Sequence, residues 1–142
     1  MKTIIPCKIT FSEADEVWYV EAPDLYSGPI TYGETIELAK AMAVDALTGL
    51  LESYIDEGKK IVISPLCDDP DWYPIEPAPG VAFALWLRNK RKEAGMTLTD
   101  VADRLGVKYQ VYQKLENPVT ANPTLKTLKK LEKVFGETLV AV

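Results

Sequence analysis

The stretch Leu98–Leu115, LTDVADRLGVKYQVYQKL, decides how the C-terminal half of this 142-residue chain folds. At helical spacing Val101, Ala102 and Leu105 fall on one face of a short helix. Gly106 breaks that helix and Val107 re-enters the core. Either Val111 or Tyr112, together with Leu115, supplies the inner face of a second helix. The small Ala102 lets the two helices approach closely, and a glycine four residues on can take the left-handed conformation that a sharp turn needs. This succession predicts a helix-turn-helix. The polar face of the second helix then carries Lys108, Tyr109, Gln110, Gln113 and Lys114, side chains suited to phosphate oxygens and base edges. The same pattern also suits an ordinary helical hairpin in a core, so the surroundings have to choose.

Around this stretch the pattern stays helical. From Val81 the residues Ala84, Leu85, Leu87, Arg88 and Arg91 lead to a C-cap at Ala94-Gly95. Thr97 caps the next helix, with Asp100 placed to complete a capping box. Asn117-Pro118 stops the second motif helix. After a loop from Val119 to Pro123, a further helix runs from Thr124 to Phe135. Leu125, Leu128, Leu131, Val134 and Phe135 face its core, and Lys126, Lys129, Lys130 and Lys133 cover its outside. The tail Thr138–Val142, TLVAV, is apolar and β-like, which suits a dimer contact or packing on its own domain.

The N-terminal half reads differently. Lys2 to Phe11 alternates like a strand, and Pro6 within it calls for a free side or a bulge. Val17–Ala22 is a second strand, joined to the first as a hairpin, and Ile30–Tyr32 a short third. Thr35 caps a long helix whose apolar stripe is Ile36, Ala39, Ala43, Ala46, Leu47, Leu50 and Tyr54, ending near Gly58. Lys60–Ser64, KIVIS, reads as the fourth strand. The order β-β-β-α-β gives an α+β domain over residues 1-65. Residues 66-80 carry four prolines and four acids and read as an extended acidic linker, within which Trp72 and Tyr73 stand out as docking anchors. Asp68, Asp69 and Asp71 lack the glycine and terminal glutamate of a calcium loop. Residues 81-142 form the all-α domain.

Charge divides the chain at the same place. Residues 1–80 hold 5 Lys against 15 Asp/Glu, a net −10, and residues 81–142 hold 11 Lys/Arg against 6 Asp/Glu, a net +5. A basic half suits nucleic acid, whose affinity is largely phosphate electrostatics. An acidic half repels nucleic acid and attracts a basic protein. There is no histidine, which removes Ser-His-Asp and Cys-His nucleophiles and the usual zinc sites. Cys7 and Cys67 are isolated thiols, as expected of a cytoplasmic protein. No apolar run is long enough for a membrane span, and the strand-like start does not read as a signal peptide.

The C-terminal half resembles the Cro/repressor (XRE-type) helix-turn-helix family. The resemblance rests on Leu87–Gly95, Thr97, Val101-Ala102, Leu105-Gly106-Val107, Leu115-Glu116, Thr124-Leu125, Leu128, Leu131 and Gly136. It implies that Lys108, Tyr109, Gln110, Gln113 and Lys114 project from a recognition helix into the major groove. Where the family often has a phosphate-gripping glutamine this chain has Leu98, so Lys108 through Lys114 carry more of the contact, with Arg88 to Lys92 as an auxiliary patch. Tyr112 stands at a usually aliphatic core position.

The N-terminal half resembles the HicB antitoxin family. Tyr19-Val20, Pro23-Asp24-Leu25, Gly28, Thr31–Thr35 and Ala39 carry that pattern, with Lys59–Ile61 and Ser64-Pro65 after the helix, although Tyr26-Ser27-Gly28 stands where members usually have Pro-Gly-Cys. This resemblance implies a partial ribonuclease-H-like sheet without catalysis, a small basic HicA-like toxin as partner, and double-stranded operator DNA bound by a homodimer or tetramer. No cofactor and no metal are implied. The rival readings are a ligand-sensing regulator, with a pocket lined by Trp18, Tyr19 or Tyr26, and an enzyme using Asp24, Glu34 and Asp45.

Overall fold

The computed structural model describes residues 3–137. The chain divides into two compact units, Thr3–Pro79 and a second beginning at Gly80. The apolar tail Thr138–Val142 lies outside the described residues.

The first unit is an antiparallel sheet with one helix on it. Strands β1 (Ile5–Ser12), β2 (Val17–Glu21) and β3 (Pro29–Gly33) precede helix α1 (Ile36–Asp56), and β4 (Trp72–Ile75) follows it. The strand order is β3-β2-β1-β4. The β1–β2 turn is closed by the Glu16 N–H donating to the Ser12 carbonyl at 2.7 Å, with Glu16 itself at φ 56°. Ile5, Cys7, Ile9 and Val20 are fully buried and Ile75 nearly so. They share one sheet face, because the register sets Ile9 opposite Val20 and Ile5 opposite Ile75. Helix α1 lies against the sheet and buries Ala39, Ala43, Leu47 and Leu51. Thr35 caps it by accepting the Leu38 N–H at 3.1 Å. Burial pushes the Cys7 thiol up to about 12, so it is a core side chain rather than a nucleophile.

The fourth strand is a correction. Lys60–Ser64 forms no strand, and the partner of β1 is Trp72–Ile75, inside the segment expected to be a linker. The reason lies in the prolines. The Ile9 N–H donates to the Asp71 carbonyl at 2.9 Å, so alternate residues Ile5 and Cys7 also address β4. Pro6 then faces the opposite side, beyond Lys8, where the ladder with β2 stops. A strand laid here meets Pro6 with Pro74, and neither proline has to donate. Ser64, at the end of that stretch, is held instead by Asp24, whose carboxylate accepts the Ser64 N–H at 2.8 Å and its hydroxyl at 2.9 Å. Trp72 and Tyr73 are docked in the sheet, with the Lys40 ammonium 4.5 Å from the Tyr73 ring centroid. The buried stripe of α1 also runs through Leu51, not the half-buried Leu50.

The second unit is helical: α2 (Pro79–Glu93), α3 (Leu98–Leu105), α4 (Tyr109–Leu115) and α5 (Leu125–Phe135). Its core joins Phe83, Trp86, Leu87, Val101, Ala102, Leu105, Tyr112, Leu115, Leu128 and Leu131. Phe135 meets the Trp86 ring edge-on at 6.4 Å. Leu125 was expected in this core but is 71% exposed, since it is the first residue of its helix and core contact begins one turn later at Leu128.

Candidate nucleic-acid interface

The helix pair α3 and α4 is built by local rules. Thr97 accepts the Asp100 N–H at 3.1 Å, and Asp100 in return accepts the Thr97 N–H at 2.8 Å, a complete capping box. That backbone bond holds the Asp100 carboxyl below its usual range. At the other end Gly106 is left-handed, φ 71° and ψ 32°, and the Val107 N–H closes back on the Ala102 carbonyl at 3.1 Å. Val107 is then packed against the core.

Helix α4 is only seven residues long, too short to be stable alone, and its orientation comes from packing. Tyr112 is fully buried and Leu115 nearly so. Of the two candidates for its inner face, Tyr112 is inside and Val111 is 50% exposed. Thr120 closes the far end, its hydroxyl donating to the Lys114 carbonyl at 2.7 Å.

An ion pair ties this helix down. Arg91 Nε donates to Glu116 Oε2 at 2.7 Å and Arg91 Nη2 to Oε1 at 3.1 Å, while Nη1 donates to the Met96 carbonyl at 3.1 Å. One side chain of α2 thus fixes both the loop before α3 and the residue that ends α4. The two-pronged bond to Glu116 holds the Arg91 guanidinium above its ordinary value. Spacing in the sequence cannot reveal such a pair, because 25 residues separate the partners. The only local signal is a glutamate directly after Leu115, on the side of the helix that turns inward.

The Tyr112 hydroxyl is buried beside the Arg91–Glu116 pair but makes no well-formed hydrogen bond among the described residues. Burial, with the Glu116 carboxylate next, pushes this phenol well above its ordinary range. Its aromatic ring therefore contributes the packing and its oxygen little. Tyr112→Phe is expected to change the unfolding free energy by less than about 1 kcal/mol in either direction. Urea melts followed by circular dichroism measure this, and a loss above about 2 kcal/mol would contradict it.

Each expected contact residue is placed on the outer surface of α4 or at its start. Lys108, Gln110, Gln113 and Lys114 are exposed, and Tyr109 is 40% exposed. Leu98, at the position of the phosphate-gripping glutamine, is half-buried against the core and has no polar group to offer. The expected auxiliary patch is divided by the fold. Arg88 is 7% exposed and Arg91 is committed to Glu116, whereas Lys90 pairs with Glu137 at 2.8 Å on the surface and Lys92 is exposed. Lys126, Lys129, Lys130 and Lys133 do stand exposed on α5, with Lys129 paired to Glu132 at 3.4 Å.

In the first unit, the acid candidates do not assemble. Asp24 is engaged by Ser64, and Glu34 and Asp45 are exposed. Among the described residues no three His, Cys, Asp or Glu side chains are grouped to hold a metal ion. A shallow hollow of about 470 Å³ is lined by Glu21 and residues 23–28. It takes in Tyr26, but Trp18 and Tyr19 are not in its lining. Among the described residues no helix is long and apolar enough to cross a membrane.

Comparison with known proteins fits this division. Residues 87–142 match the protein family described as Helix-turn-helix. Over 123 residues, 86% of this chain and 76% of the relative, the chain is 28% identical to Antitoxin HicB 1 of Photorhabdus laumondii. The chain therefore carries a helix-turn-helix domain and is similar to a HicB antitoxin over most of its length.

Proposed function

We propose that this protein is a HicB-type antitoxin that represses its own operon. In this reading the acidic first unit, as a partial ribonuclease-H-like domain, covers a small basic HicA-like toxin. The helical unit, as a dimer or tetramer in the cytoplasm, reads operator DNA through Lys108, Tyr109, Gln110, Gln113 and Lys114. The protein performs no catalysis itself.

The observation that carries the DNA half is the exposed face of α4. A seven-residue helix is clamped by Tyr112, Leu115 and the Arg91–Glu116 pair, and everything it turns outward except Val111 can donate to phosphate or bases. The charge split supports the two-partner scheme. A −10 segment complements a basic toxin and a +5 segment complements DNA, which favours fast and selective encounters with each. Two such helices about 34 Å apart demand two-fold operators.

Co-expression with a HicA-like toxin, sought as a small basic protein encoded beside it, tests the antitoxin half. Rescue of growth and a stable complex on size exclusion are expected, and continued toxicity with no complex would overturn it. On DNA, Lys114→Ala is expected to weaken all sequences alike and to lower the salt slope by about one. Gln110→Ala is expected to lose about 1–3 kcal/mol at a single base-pair position. Salt-dependent anisotropy titrations distinguish the two effects.

A further inference from the structure

The outward face of α4 holds one residue that phosphate and hydrogen-bond recognition do not use. Val111 was a candidate for the core, yet it is 50% exposed, while the core takes in Val107 and Tyr112 on either side of it. Along the chain it lies three residues after Lys108, the N-cap of α4, and three before Lys114, which follows it one turn further along the helix. Gln110, its immediate neighbour, is exposed as well. An apolar, β-branched side chain is a poor choice for a solvated helix surface, where lysine or glutamine forms helix better and keeps its hydration.

We propose that Val111 reads the 5-methyl group of a thymine in the major groove. The inference rests on the reading of α4 as a recognition helix and adds a specificity residue to it. The lysines on either side are suited to seat the helix between phosphates. What a valine there can recognise is the one apolar group that a base pair presents in the major groove. Its two methyl groups and the thymine methyl leave water together. The gain is that of about one buried methyl group, roughly four-fold in affinity at one position of each half-site.

The test uses the full chain and DNA duplexes enriched by it from a random pool. Each thymine of the enriched site is replaced in turn by deoxyuridine, which removes only the methyl. The wild type is expected to lose roughly three- to five-fold at one position per half-site. Val111→Ser is expected to bind the thymine and deoxyuridine duplexes equally at that position, with its helicity unchanged. A deoxyuridine penalty of the same size in Val111→Ser would overturn the proposal, as would the absence of any sensitive thymine. A shift from dimer to monomer in light scattering, with the thymine penalty intact, would assign Val111 to a protein contact instead. Failure to enrich any sequence would overturn the DNA-binding reading itself, a result distinct from these.

Discussion

Glu116→Ala is expected to cost the helical unit about 3–5 kcal/mol, enough to leave it largely unfolded. Glu116 is 8% exposed and accepts two bonds from Arg91, which is itself only 14% exposed in its side chain. Removing the carboxylate strands a largely buried guanidinium with only the bond to the Met96 carbonyl among those described for it. Arg91→Lys is expected to destabilise too, since a lysine cannot span both carboxylate oxygens in one plane. Replacing the two together, Arg91→Met with Glu116→Leu, is expected to recover much of the loss, because no unpaired charge is left behind. Urea unfolding of the full chain measures the size of the effect, and amide exchange assigns it to α2 to α5. A loss below 1 kcal/mol for Glu116→Ala would contradict the clamp. DNA binding is expected to disappear along with the fold, since the core packing of Tyr112 and Leu115 that orients α4 is lost with it.

Gly33→Ala is expected to cost the first unit about 3 kcal/mol. A Cβ at Gly33 would stand 2.3 Å from the backbone nitrogen of Ala39 and 2.7 Å from its Cα. Both sides of the clash are backbone: the end of β3, paired with Trp18, and the first turn of α1. Neither can yield without parting the helix from the sheet. Gly49→Ala is the matched control. Nothing lies within 4 Å of the added Cβ there, and the residue is exposed within α1, so a gain of roughly 0.5–1 kcal/mol is expected. Thermal melts of both variants decide this, and equal stability of the two would contradict the close approach.

Local grammar was readable from the residues. Thr35 and Thr97 cap helices as their positions suggest, and Gly106 and Gly136 end them in the left-handed region, while Thr124, taken as the first residue of its helix, is its cap. The first-strand hairpin and the free side of Pro6 also followed from pattern. What could not be read was long-range. KIVIS has better strand composition than WYPI, but composition does not say which segment reaches the open edge of β1, where WYPI fits with Pro74 set opposite Pro6. Val111 and Tyr112 are adjacent and both apolar enough for a core, so only the angle of α4 separates them. The basic run Arg88–Lys92 looked like a surface, and its arginines are spent inside. The contact residues on α4 were legible because helix period turns Tyr109, Gln110, Gln113 and Lys114 away from Leu115, while Lys108 precedes the helix as its N-cap.

The central claim is that α4 reads sequence and does more than attract phosphate. It is tested most directly by fluorescence anisotropy of the full chain on the DNA upstream of its own gene and on a scrambled duplex of equal length, at one fixed salt concentration. The account predicts that the wild type prefers the upstream DNA by at least about 10³. It predicts that Gln110→Ala with Gln113→Ala lowers that ratio ten-fold or more while leaving the scrambled duplex unaffected. A ratio near one in the wild type, or the same ratio in both proteins, would contradict it.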